Sequence, residues 1–130
     1  VVIFNIELAE NFKYFRKQSM QLASKMRYIA VQFETLFTDG LWKKNAEHAN
    51  RMAAKLANEF EGVSGIQLTQ KVEANGVFAI VPPDIIEPLQ EKFFFYSWDE
   101  SRHEVRWMTS FDTTEAEIRD FVAEIRKLIG

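Results

Sequence analysis

The stretch Glu104-Val-Arg-Trp-Met-Thr-Ser-Phe-Asp-Thr-Thr114 decides how the chain is read. Its residues alternate. Val105, Trp107, Thr109 and Phe111 fall on one side of an extended strand, and Glu104, Arg106, Met108 and Ser110 fall on the other. The first side is mostly apolar and calls for a core. The second carries a lone arginine among modest neighbours. The run then enters Asp112-Thr-Thr-Glu-Ala-Glu117, a helix start in which Thr114 with Glu117, or Asp112 with Glu115, makes a capping pair. Arg106 is open to two readings. It is a solvated strand residue, or it points into a cleft to grip an anion, because its planar fork matches a carboxylate in bidentate fashion.

Upstream of this strand the apolar period is helical. Leu8, Phe12 and Phe15 predict a helix over 7–16 with Arg16 and Lys17 at its end. Leu22, Met26, Ile29, Ala30, Phe33, Leu36 and Phe37 predict a second helix with one apolar stripe, closed by Asp39-Gly40 and carrying Arg27 on its flank. Trp42, Ala46, Ala49, Ala53, Leu56 and Phe60 predict a third, ended by Glu61-Gly62. The period then becomes two. Ile66–Thr69 and Val77–Val81 predict strands, with Asn75-Gly76 as a turn before the second. Pro82-Pro83-Asp84 starts a short helix whose limits Pro88 restricts. Phe93–Tyr96 predicts another strand, Trp98–Ser101 a polar connection, and Ile118, Phe121, Val122, Ile125, Leu128 and Ile129 a last helix. The aromatic run at 93–98 is expected to be sheet core rather than a stacking platform. Helices followed by a mostly antiparallel four-stranded sheet with packing helices make an α+β, two-layer class.

Bulk properties narrow the function. The chain has 130 residues, 47% of them hydrophobic and 27% charged, which fits one ordinary globular domain. A net charge of −3 with no basic stripe argues against nucleic acid. With no cysteine there is no disulfide, thiolate metal site or cysteine nucleophile, which fits a cytoplasmic protein. No apolar run approaches a membrane span of roughly 20 residues. The chain opens on Val1-Val-Ile-Phe4 with no methionine or polar lead-in. That run predicts a strand buried on both faces and suggests more chain upstream. Phosphate-cradling glycine loops, HExxH, G-x-S-x-G and EF-hand motifs are all missing. His48, off the apolar face of its helix, and His103, in a turn, are expected to be solvated. Glu115, Glu117 and Glu124 are expected on a wet helix face. Three cations, Lys17, Arg27 and Arg106, remain of interest, and no metal site is expected. On the residues alone, Lys17 is a helix-terminal charge and Arg27 a solvated flank.

Several stretches together carry a family resemblance: Val1-Val-Ile-Phe-Asn5, Phe15-Arg-Lys-Gln-Ser-Met-Gln-Leu-Ala-Ser-Lys-Met-Arg27, Asn75-Gly-Val-Phe78 and Val105-Arg-Trp-Met-Thr-Ser-Phe-Asp112. In this order and spacing the chain resembles the C-terminal part of threonine aldolases, in the β-eliminating lyase group of fold-type I pyridoxal-phosphate enzymes. The resemblance covers essentially the whole chain. It implies cleavage of L-threonine or L-allo-threonine to glycine and acetaldehyde, in a homodimer or homotetramer, with pyridoxal 5'-phosphate absorbing the electrons left at Cα. It implies that Arg106, opening an Arg-x-x-Thr motif, binds the substrate carboxylate, and that Lys17 and Arg27 lie near the cofactor phosphate. The Schiff-base lysine is expected upstream of Val1, so no catalytic residue is assigned within the chain, and the chain by itself is expected to be inactive and free of cofactor. Residues 1–40 would then be a strand and helices linking to a large domain, and 41–130 the small domain. A different pyridoxal-phosphate lyase or racemase on the same scaffold, and a non-catalytic interaction module, are the alternatives.

Overall fold

The computed structural model describes residues 3–20 and 22–130. By contacts the chain divides into two compact units, Val1–Leu41 and Trp42–Gly130.

The first unit is helical. Asn5 caps α1 (Ile6–Ala9) by accepting from the Glu7 and Leu8 amides at 2.8 and 3.3 Å. The helix expected over 7–16 is interrupted. The backbone leaves helical geometry at Asn11, and α2 (Phe12–Gln18) starts afresh. The apolar stripe of α3 (Met26–Phe37) has helical spacing, but Leu22 lies outside the helix, and none of the helices of this unit buries a residue. Spacing reports which side chains share a face; whether that face is covered depends on what packs there. Val1 and Val2 of the expected opening strand lie outside the described residues, and Ile3 and Phe4 are not in a strand. A 3-10 turn, Thr38–Gly40, ends the unit, with Asp39 in the left-handed region.

The second unit is an α+β, two-layer fold. After α4 (Leu41–Asn58), the chain forms β1 (Gln67–Leu68), β2 (Gly76–Ile80), α5 (Pro83–Gln90), β3 (Tyr96–Asp99), β4 (Glu104–Met108) and α6 (Glu115–Ile129). The four strands lie in the order β1-β2-β4-β3, and all three pairings are antiparallel. β4 is therefore central. Its partners on β2 run from Gly76↔Met108 to Ile80↔Glu104. Because strand side chains alternate, one face of β2 and β4 presents Val77, Ala79, Val105 and Trp107, all buried. They join one cluster with Met52, Ala53, Leu56 and Ala57 of α4, Ile85 and Leu89 of α5, and Ile118, Val122 and Ile125 of α6. All three helices thus pack on the same side, and the other face of the sheet carries Phe78, Arg106 and Met108.

Local details depart from the expected pattern where tertiary pairing intervenes. Ala49, Ala53, Leu56 and Phe60 are buried as expected, but Trp42 and Ala46 are exposed, and Met52 and Ala57 take part in the core instead. The third strand is shifted from Phe93–Tyr96 to Tyr96–Asp99. Phe95 alone of the Phe93–Phe95 run is core, Phe93 packs against the core, and Phe94 is exposed. Asn75 lies in a bend immediately before β2, at the turn expected there. It pairs with Thr109, donating from Nδ2 to the Thr109 carbonyl at 2.8 Å and accepting from the Thr109 amide at 2.9 Å. That ends β4, so Phe111, expected on the core face, lies in the following turn and is 63% exposed. Of the two capping pairs, the one formed is Thr114 with Glu117: the Glu117 amide donates to Thr114 Oγ1 at 3.2 Å and the Thr114 amide to Glu117 Oε2 at 2.7 Å. α5 continues through Pro88 for only two more residues, as expected once an amide donor is lost.

Three glutamates of α6 are held below the usual carboxylate range. The Lys55 ammonium does this for Glu115, the Thr114 amide and hydroxyl for Glu117, and the Lys92 ammonium for Glu124. At these sites the unfolded chain takes up protons before the folded one. Their contribution is complete above the usual glutamate value of about 4.3 and is lost as pH falls through the lower folded values. Urea unfolding midpoints are expected to decline as pH falls from about 5, just above the usual glutamate value, through the lower folded values. A flat or rising midpoint on acidification would contradict this linkage.

Candidate functional site

Arg106 occupies the middle of β4, an inner strand, on the face opposite α4, α5 and α6. The strand is pinned at both ends. At its far end, Thr109 donates through Oγ1 to the Ala49 carbonyl of α4 at 2.7 Å, besides its pairing with Asn75. Past it, Ser110 donates its amide to Thr113 Oγ1 at 2.8 Å and its hydroxyl to the Asp112 carboxylate, and the chain passes directly into the Thr114 cap. At the near end, His103 adopts the left-handed conformation that closes the 3-10 turn Glu100–Arg102. The Arg106 backbone is thus fixed by the sheet on both sides, with Phe78 of β2 and Tyr96 of β3 as its Cα partners.

The guanidinium lies among aromatic rings rather than carboxylates. Its Cζ is 4.8 Å from the Trp98 ring centroid and 5.7 Å from that of Tyr96. Both distances suit attraction between a cation and the negative face of a ring. Trp98 in turn meets Phe78 edge-on, with centroids 5.2 Å apart. Arg106 Nε is buried and has no hydrogen-bond partner. Among the described residues no ion pair forms to Arg106, nor to Lys17 or Arg27. Glu104, two residues before Arg106, is buried but already engaged. It accepts from Thr69 Oγ1 at 2.5 Å and lies 3.7 Å from Arg102. An arginine with a buried, unpartnered nitrogen and no carboxylate on it is suited to an external anion.

Lys17, near the end of α2, and Arg27, in the first turn of α3, are both exposed. Arg27 stacks on Tyr28, with Cζ 4.9 Å from the ring centroid, and donates to Tyr28 Oη at 3.1 Å. These two cations belong to the first unit and Arg106 to the second. His48, expected to be solvated, instead bonds through Nε2 to the Thr113 carbonyl at 2.7 Å and so ties α4 to the turn before α6. His103 is exposed, as expected. No group of ligating side chains suited to a metal ion occurs among the described residues. Nor is any described helix long and apolar enough to cross a membrane. A cleft of about 370 Å³ with Trp107, Phe121, Asp112 and Glu117 in its lining does not include Arg106. Its two carboxylates are committed, Asp112 to Ser110 and Glu117 to the cap.

The aromatic cradle is the part that sequence reasoning missed. Tyr96 and Trp98 were expected in a core strand and a polar connection; instead they stand on the open face, each 56% exposed. Their i, i+2 spacing was a usable signal, since it places both on one side of a strand. Phe78 offered none, because its pairing with Arg106 is a long-range register.

Comparison with known proteins bears on this geometry. A low-specificity L-threonine aldolase of a Pseudomonas species is 40% identical over 131 aligned positions, spanning 100% of this chain and 38% of the relative. The low-specificity L-threonine aldolase of Pseudomonas aeruginosa is 38% identical over 130, again across 100% of this chain and 38% of the relative. The chain is homologous to one portion of the threonine aldolases. The solved threonine aldolase of Leishmania major agrees in fold, with a TM-score of 0.64 and 31% identity over 77% of this chain and 30% of that one. No family model matches. The chain thus spans about 38% of the length of these aldolase relatives, and the resemblance expected from Arg106-Trp-Met-Thr-Ser-Phe-Asp112 and Arg16-Lys…Lys25-Met-Arg27 is met across its full length.

Proposed function

We propose that this chain is the C-terminal, substrate-gripping part of a threonine aldolase that converts L-threonine or L-allo-threonine to glycine and acetaldehyde. In this reading Arg106 binds the α-carboxylate of the amino acid. The observation that carries it is an arginine in the middle of β4, on the face opposite α4, α5 and α6, whose guanidinium has no carboxylate and no hydrogen-bond partner among the described residues. Aldolase homology over the whole chain supports it. A bidentate grip fixes both the position and the rotation of the carboxylate, and with it the direction of the bonds at Cα. Holding one reactant in a single orientation is a large part of what a protein can add to such a cleavage.

The implied cofactor is pyridoxal 5'-phosphate. It supplies an acceptor for the electron pair left at Cα when the Cα–Cβ bond breaks. The donor chemistry of the first unit fits its phosphate: Lys17 and Arg27 offer cationic nitrogens not engaged by carboxylates among the described residues, and Tyr28 adds a hydroxyl beside Arg27. We assign the phosphate to these residues, and a cytoplasmic homo-oligomer as the setting. The test is to express the intact aldolase that carries this sequence and measure acetaldehyde and glycine released from each threonine diastereomer. Release from at least one is expected; release from neither rejects the reading.

A further inference from the structure

We infer that Trp98 is a positioning residue, whose indole holds the Arg106 guanidinium in one orientation so that its free fork end meets an incoming carboxylate. This rests on the reading of Arg106 as the carboxylate ligand. Three features carry it. First, Trp98 is the extra residue of a β-bulge. Ser97 pairs with Val105 and Asp99 with Glu104, so three consecutive residues on β3 face two on β4. A bulge bends its strand and re-aims a side chain. The indole is carried across β4, near enough to meet both Arg106 at 4.8 Å and Phe78 on the strand beyond at 5.2 Å. Second, Trp98 has no place in the core. With 56% of its surface exposed and no membership of the buried cluster, the ring makes its described aromatic and cationic contacts only to Phe78 and Arg106.

Third, apart from the more distant Tyr96 ring at 5.7 Å, nothing else among the described residues holds the guanidinium. It makes no hydrogen bond or ion pair there, and the carboxylates nearest in sequence or register are occupied, Glu104 by Thr69 and Asp99 by the amide and hydroxyl of Ser101. A long, flexible arginine stem without such contacts would sample many rotamers, and a ligand would have to order it on binding. Stacking removes that cost beforehand. Burial of Nε leaves the two terminal nitrogens as the accessible donors, so the grip is end-on, through both Nη atoms.

The test is a double-mutant cycle in the intact aldolase, read as the dissociation constant for glycine by calorimetry and as KM and kcat for L-threonine. Trp98→Leu is expected to raise the glycine dissociation constant and KM about tenfold, with a smaller change in kcat. Trp98→Phe, which keeps a ring, should recover most of the loss. In an Arg106→Ala background Trp98→Leu should add less than about twofold, since its effect passes through the arginine. Trp98→Gln, of similar reach but with no ring, replaces the leucine variant if that one fails to fold. If Arg106→Ala weakens glycine binding while Trp98→Leu does not, the inference fails and the carboxylate site stands. Equal losses from Trp98→Leu in both backgrounds make Trp98 merely structural and also overturn it. If Arg106→Ala itself leaves glycine binding unchanged, the site reading falls and takes this inference with it.

Discussion

Arg106→Ala in the intact aldolase is expected to lower kcat/KM for L-threonine by about 2–5 kcal/mol, or roughly 30-fold to several thousandfold. The alanine removes a charge and a two-pronged donor at once, and leaves the substrate carboxylate unpaired inside the site. The upper end of the range requires that the closed site exclude water, since exposed ion pairs are worth about 1 kcal/mol or less. Arg106→Lys should fall between the two, because an ammonium restores the charge but not the fork. Stability should barely change. Arg106 makes no hydrogen bond or ion pair among the described residues, and its buried Nε is an unsatisfied donor that the substitution removes. Steady-state kinetics with a thermal melt separate the two effects. Unaltered kinetics would reject Arg106 as the carboxylate ligand.

Trp107→Ala should do the opposite, damaging the fold first, with a loss of about 3–5 kcal/mol. Trp107 is adjacent to Arg106 but points to the other face and is 3% exposed. Its ring meets Phe60 at 5.1 Å, Phe121 at 5.2 Å and Phe95 at 6.5 Å between centroids, so it links the end of α4, the sheet and α6. Removing it leaves a cavity bounded by three large rings that cannot all collapse inward. Trp107→Phe should cost far less, about 1–2 kcal/mol. The indole nitrogen has no hydrogen-bond partner, so losing it relieves a buried donor while most of the ring volume stays. Urea denaturation of the two variants gives the comparison. Equal losses would mean that the full indole shape, rather than the bulk of an aromatic ring, stabilises this position.

The alternation of Glu104–Met108 is a local property, and it was enough to separate Val105 and Trp107 from Arg106, because adjacent strand residues must point to opposite faces. The Thr114–Glu117 cap, the face of α4 through Ala49, Ala53 and Leu56, and the last helix were legible for the same reason: each depends on neighbours a few residues away. The α+β class followed from the change of period. The arginine's chemistry could be named from its type; the role proposed for it came from resemblance, since no spacing within these residues distinguishes an anion ligand from a solvated charge. Only the tertiary structure decided that β4 lies between β2 and β3, that Phe78 and Tyr96 flank Arg106, and that a bulge at Trp98 lays an indole against the guanidinium. The same holds for the end of β4 at Asn75 and Thr109, and for the exposure of the α3 stripe. Strand order, register and coverage are set by contacts between residues far apart in the chain, and a period within one segment carries no record of its partner.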